Sequence, residues 1–209
     1  MTVCVVQFVK MFNIAIENDR IEKNPVKRNT KFPVKNCKVR YLTEDEEKRL
    51  FEHLQEEIKP IVITALNTGL RKQNILDLKW ENINFDFGYI EILENKGNKH
   101  LKIPMTETLK TLFKGMKHES EYIFLNPQTK EPYKDFRRLW NKAKADAVIE
   151  NFRFHDLTHT VATRLAKNNI PITTIKEILA HSDVSTTMRY SHAVSSDEIK
   201  AIDVLNSYN

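Results

Sequence analysis

The sequence predicts a mainly helical domain that carries one small antiparallel β-sheet, an α+β fold. Three observations lead there. Apolar residues recur at helical spacing along most of the chain, and the pattern switches to alternation over one stretch only, between Tyr89 and Met105. At 209 residues with 41% hydrophobic side chains, the chain can bury a proper core as one domain with an appendage. No internal repeat or low-complexity tract breaks the pattern.

The first element is VVQFVKMFNIAIEND, with Val5, Phe8, Val9, Phe12 and Ile16 at helical spacing. A single amphipathic helix has little to pack against, so it reads as the terminal helix of something larger. From Lys23 to Arg40 the chain is cationic and extended, punctuated by Pro25 and Pro33 and free of acids. Thr43 and Glu46 then have the spacing of a capping box, and Leu50 and Leu54 begin an apolar stripe. KPIVITALNTG reads as a buried helix stopped by Gly69, and RKQNILDL as a short helix opening at Arg71. YIEILE and HLKIPM are strands of a hairpin whose turn, NKGN, presents Lys96 beside Gly97. Helices follow in ETLKTLFKGM, YKDFRRLWNKAKADAV, HDLTHTVATRLAKNN, ITTIKEILAH, VSTTMRY and SDEIKAIDVLN, with a break at Asn168, Asn169 and Pro171. In the last of these, Ser195 and Glu198 repeat the capping-box spacing, and Ile199, Ile202 and Leu205 form a stripe that docks on its own domain or on a neighbour.

No run of eighteen apolar residues occurs, and the N-terminal stretch lacks a basic leader and a small-residue cleavage site, so the expectation is a cytoplasmic protein without a membrane partner. Cys4 and Cys37 suit reduced thiols rather than a disulfide framework or a zinc site. The formal net charge is +5, and its placement says more than its size. Lys27, Arg28, Lys31, Lys35, Lys38 and Arg40 crowd the extended segment, and Lys99 and Lys102 follow in the hairpin. Such a segment is either a solvated linker or a strap along nucleic-acid phosphates that gains affinity by counterion release.

A second group gathers toward the hairpin turn and the final helices: Arg71, Lys96, His155, His159, His181, Arg189 and Tyr190. No carboxylate cluster of the magnesium-holding kind accompanies it, and there is no Gly-rich phosphate loop, so neither metal nor cofactor is expected. Cations, imidazoles and a phenol suit attack on a phosphodiester. Arginine holds phosphate oxygens in a planar fork, histidine donates or exchanges a proton, lysine protonates a leaving alkoxide and a phenolate attacks phosphorus.

TGLRKQNILDLKWENI, NKGNKHLKIPM and HDLTHTVATRLAKNNIPITTIKEILAHSDVSTTMRYSH, in that order, resemble the catalytic domain of the tyrosine recombinases, the phage integrase family. The resemblance runs from about Leu42 to about Ala193. It implies a remnant helix of a core-binding domain over 1–24, a basic linker over 25–41, a catalytic domain over 42–194 and, over 195–209, a C-terminal helix able to exchange between protomers. Duplex DNA is the implied partner, with a homo-oligomer on it, a tetramer if active, and association with the nucleoid when bound. The implied reaction is strand cleavage and rejoining through a 3′-phosphotyrosine. By the same resemblance Arg71 holds the scissile phosphate, Lys96 is the acid toward the leaving 5′ oxygen with Lys99 as fallback, His155 and His181 complete the phosphate site, and Tyr190 is the nucleophile.

One departure bears on activity. The family's block reads His, two residues, Arg, whereas position 158 here is Thr158. Losing one positioned donor costs about 100- to 1,000-fold in rate, and neither Arg153 nor Arg164 has the helical phase to replace it. Weakened chemistry is therefore expected, with a catalytically inactive DNA-binding remnant as the alternative. A remoter reading takes His155 and His159 as an i, i+4 zinc pair, with His181 or His192 as third ligand, but it leaves Arg71, Lys96 and Tyr190 unexplained.

Overall fold

The computed structural model describes residues 2–26, 39–94, 99–181 and 183–191, without the side chains of 2–6, 93–94 and 99. The chain divides into two units, Met1–Lys38 and Val39–Asn209. In the first, helix α1 (Thr2–Glu17) is followed by a return stretch pinned by Asn24, whose Nδ2 donates to Val9 O at 3.1 Å and to Asn13 Oδ1 at 2.7 Å. The cations Lys27, Arg28, Lys31, Lys35 and Lys38 lie outside the described residues, as do the turn 95–98 with Lys96 and everything after Ser191, including the Ser195–Glu198 capping box.

The second unit opens at α2 (Glu44–His53), which starts where its capping box demands. Thr43 Oγ1 accepts from Glu46 N–H, Glu46 returns the bond to Thr43 N–H, and four acids fill the first turn against the helix dipole. Helix α3 (Lys59–Thr68) carries Pro60 in its first turn and ends at Gly69, which is left-handed at φ +69. Helix α4 (Lys72–Leu76) begins immediately after Arg71. The sheet follows: β1 (Ile83–Asn84), β2 (Tyr89–Glu94) and β3 (Lys99–Pro104), all antiparallel in that order. In the β2–β3 register Ile90 faces Ile103 and Ile92 faces Leu101, while the alternate pairs set Tyr89 against Pro104 and Glu91 against Lys102. Alternation thus buries one face against the helices and leaves the charges on the other. The hairpin lies one residue earlier than expected on its second strand, and β1 is an addition: two residues are too short for a period to be read.

Helices α5 (Glu107–Gly115), α6 (Arg137–Asp146), α7 (Asp156–Lys167), α8 (Ile172–Ile178) and α9 (Val184–Met188) complete the described chain. The large core runs from Leu42 to Leu157 and is centred on fully buried Leu50, Ile61, Ile90, Phe113, Phe152 and Leu157. A smaller core packs Val161, Ala162, Ala166, Ile175 and Leu179 with Tyr190. Helix α7 belongs to both, and Thr160 on it ties the entry of the unit down: its Oγ1 accepts from Leu42 N–H at 3.0 Å and donates to Asp156 O at 2.9 Å.

Candidate active site

Four turns after helix ends or before helix starts deliver the site. Gly69 lets the end of α3 approach the other helices so closely that a Cβ there would meet Leu179 Cδ2 at 2.3 Å and Val161 Cγ1 at 3.4 Å. Two residues on, Arg71 leaves this junction as the N-cap of α4, with its side chain exposed. His155 occupies the N-cap of α7, also exposed. His181 follows α8, and Tyr190 follows α9.

These residues meet. The rings of His155 and His159 are 5.1 Å apart and edge-on, and those of His159 and Tyr190 are 5.8 Å apart. His159 Nδ1 shares a hydrogen bond with the Tyr190 hydroxyl. His181 Nδ1 bonds Thr187 Oγ1 at 2.8 Å, which fixes its ring against α9. Burial, then the charges of Arg71, Arg189 and His155, lower the His181 pKa. Burial first, then His155, Arg189 and His181 against the opposing pull of Asp156, hold His159 down at about 4. Tyr190 is only 3% exposed, and burial pushes its phenol up to about 12, against the pull of Arg189. The resting site therefore sets the exposed Arg71 and Arg189 near a neutral His159 imidazole and a neutral Tyr190 phenol.

Thr158 does not share the exposure of His155. It is 4% exposed, inside the helix rather than alongside His155 at the surface. Arg164 is ion-paired with Glu47 of α2, and Arg153 uses its backbone N–H on Asp156 Oδ2 at 2.6 Å. Asp156 is the first residue of α7, and that bond reaches back to Arg153 instead of capping the helix's own amides. Among the cations expected on nucleic acid, Arg40 is held by a two-pronged pair with Glu46, at 2.9 and 2.5 Å, and lies 5.3 Å over the Phe152 ring. Lys102 is exposed beside Glu91 at 3.5 Å and over Tyr89 at 4.9 Å; Lys99 lies in β3 without a described side chain. Thr187 and Asp156 enter the site unannounced, since a lone Thr or Asp at those spacings carries no distinguishing signal.

Among the described residues no group of three His, Cys, Asp or Glu side chains is arranged to hold a metal ion, and no helix is long and apolar enough to cross a membrane. For the remote zinc pairing, His159 directs Nδ1 at Tyr190, and His192 lies outside the described residues.

A small sheet flanked by helices carries this cluster, with Arg71, His155, His181 and Tyr190 each standing at or just beyond a helix end. The chain belongs to the phage integrase family, whose model matches residues 40–196. It is 30% identical over 203 residues to the integrase of Salmonella phage P22, covering 88% of this chain and 52% of that protein. The chain spans about half to two thirds of the length of the curated relatives it matches. Its structure resembles the catalytic domain of bacteriophage HP1 integrase, with a TM-score of 0.65, 25% identity, and coverage of 79% of this chain and 94% of the other. The fold also matches the Tn1549 transposon integrase in complex with transposon right end DNA, with a TM-score of 0.74, 20% identity, and coverage of 93% and 76%.

Proposed function

We propose that the chain cleaves and rejoins duplex DNA through a 3′-phosphotyrosine on Tyr190, as a site-specific recombinase that assembles as a homo-oligomer on its DNA. The observation that supports this reading is a cluster: His159 bonds the hydroxyl of the buried Tyr190, His155 packs edge-on against His159, and, after burial, the Arg71 and His155 charges reach His181 and lower its pKa. Arg71 and the imidazoles bind the non-bridging oxygens where charge develops during attack. The Tyr190 oxygen bonds phosphorus as the bond to the 5′ oxygen breaks, and Lys96, the acid implied by the family, protonates that oxygen. Rejoining is the same sequence reversed, so no bond energy is lost and no cofactor is called for. The Lys27–Lys38 cations, with Lys99 and Lys102, supply contacts to the DNA backbone.

The buried Thr158 favours a second reading, an integrase remnant that binds DNA without cutting it. A nicked suicide duplex separates the two: strand cleavage lets the short fragment escape and traps protein on a 3′ phosphate, visible on a denaturing gel. The expected result is an adduct from the parent chain and none from Tyr190→Phe. Binding without any adduct, even with the arginine restored at position 158, would establish the remnant.

A further inference from the structure

We propose that His159 is the base that takes the phenolic proton of Tyr190, with Asp156 steadying its ring from the far side. This rests on the strand-cleavage reading, in which Arg71, His155 and His181 address the phosphate and nothing yet deprotonates the nucleophile. The geometry is that of a relay. Nδ1 of His159 meets the Tyr190 hydroxyl, and Nε2 faces Asp156 Oδ1 at 4.0 Å. Both relay side chains are largely enclosed, His159 at 16% exposure and Asp156 at 14%.

The tautomer follows from the neighbours. A neutral imidazole has one donor and one acceptor, and a carboxylate only accepts. At 4.0 Å the carboxylate is beyond hydrogen-bond reach of Nε2 but favours a hydrogen there electrostatically, which leaves the Nδ1 lone pair to receive the Tyr190 O–H. The charged and titratable groups around the ring are Asp156 and His155 at the start of α7, His181 after α8, and Arg189 beside Tyr190 after α9. Burial and all of these except Asp156 oppose protonation, so the acceptor is vacant at neutral pH.

At rest no transfer occurs, because a phenol at about 12 does not yield its proton to an imidazole at about 4. Two things change when DNA arrives. As the Tyr190 oxygen shares a lone pair with phosphorus its proton becomes strongly acidic, and the phosphate's negative charge beside His159 raises the imidazole's affinity. The Tyr190 O–P bond forms, the P–O5′ bond breaks with its electron pair leaving on the 5′ oxygen, and that oxygen takes its proton from the acid assigned to Lys96. The phenolic proton ends on Nδ1 of His159, and the imidazolium is stabilised by Asp156. Rejoining returns that proton to the phenol. The device keeps the nucleophile protonated until phosphate is in place.

The test uses the full chain, as parent and as Thr158→Arg, on the nicked suicide duplex from pH 5.5 to 9. With His159 as base the adduct rate varies little over this range. In His159→Ala and in His159→Asn the rate at pH 7 falls about 100-fold or more, then climbs roughly tenfold per pH unit as hydroxide takes over, and added imidazole restores part of it in His159→Ala. Long-range nitrogen–proton NMR on the histidine rings supplies a readout independent of activity, with Nδ1 of His159 expected to carry no proton at pH 7. A protonated Nδ1 overturns the proposal outright. Adducts that form at parental rate and with the parental pH profile in His159→Ala overturn the role of His159 alone. No adduct from either parent or Thr158→Arg, with DNA binding intact, removes the cleavage reading and the proposal together.

Discussion

Thr158 concentrates the question of activity in one side chain. It is 4% exposed and one turn from His155, so an arginine there must extend outward past its own helix to reach a phosphate held by Arg71. If it does, it supplies the charge-assisted fork that threonine cannot. Thr158→Arg is expected to raise the Tyr190-dependent adduct rate by about 100-fold or more, with circular dichroism confirming the fold and Thr158→Arg/Tyr190→Phe giving no adduct while binding DNA normally. A second expectation at this scale concerns acid. His159 titrates at about 4 in the folded chain against an ordinary 6.5, so below pH 6.5 the unfolded chain takes up the proton first and folding loses stability until the folded pKa is passed. His181, also lowered, adds to the same trend. The urea midpoint should drop as pH falls from about 6.5 toward about 4, and more gently in His159→Asn; a midpoint that is flat over this range in the parent would contradict the enclosed, neutral ring. Roles for Arg71, His155, His181 and Tyr190 came from the family resemblance of the blocks they stand in, and the structure sets each at or beyond a helix end. The His159–Tyr190 bond was not legible in the sequence, because spacing places a ring on a helix face without saying which nitrogen it offers.

The helices show the same division between what a sequence signals and what packing decides. Gly69 announced the end of α3 and the structure uses it so, with φ +69 and no room for a Cβ. Thr43 and Glu46 likewise fixed the start of α2. Three other helices share an ending that composition reveals in only one of them. After α6, α7 and α8 a left-handed residue is followed by one whose amide reaches back five positions: Ile149 N–H to Lys144 O at 2.9 Å, Ile170 N–H to Leu165 O at 3.1 Å, and His181 N–H to Lys176 O at 3.0 Å. Glycine favours that turn, but the residues in it are Val148, Asn169 and Ala180, at φ 54, 59 and 51. Asparagine accepts this conformation readily, so the Asn168–Asn169 break was readable; a valine there gives no warning. Val148 is also 74% exposed, so its side chain returns little packing for the strain. Val148→Gly should relieve about 1–2 kcal/mol of left-handed strain against about 0.4–1 kcal/mol of added unfolded-chain freedom, a net gain measurable as a higher urea midpoint with unchanged slope. A lower midpoint would show that the turn is not left-handed in solution.

At the scale of the whole molecule, all of the described buried core lies from Leu42 onward, while the densest run of cations, Lys27 to Lys38, precedes it. The buried core and the densest positive charge are thus carried by different stretches of the chain. A chain beginning at Val39 should keep the thermal midpoint of the catalytic unit yet bind duplex DNA with a shallower dependence on salt, the log–log slope falling by roughly 0.9 for each phosphate contact removed. An unchanged slope would move the grip to the helices themselves. Composition shows the run of cations from Lys23 to Arg40; that Arg40 at its end is taken by Glu46 and Phe152 was hidden, because a guanidinium's partner is a matter of three-dimensional proximity. The discontinuous site has a further consequence, in the time of synthesis. Arg71 and Tyr190 are separated by most of the catalytic unit, and at about 5–20 residues per second a ribosome takes roughly 6–24 s to go from one to the other. The large core is complete in sequence at Leu157, so the residues that build the scaffold around Arg71 are all written into the chain before the phenol is. On the recombinase reading proposed above, a chain released short of Tyr190 keeps every residue of the large core but has nothing with which to cut.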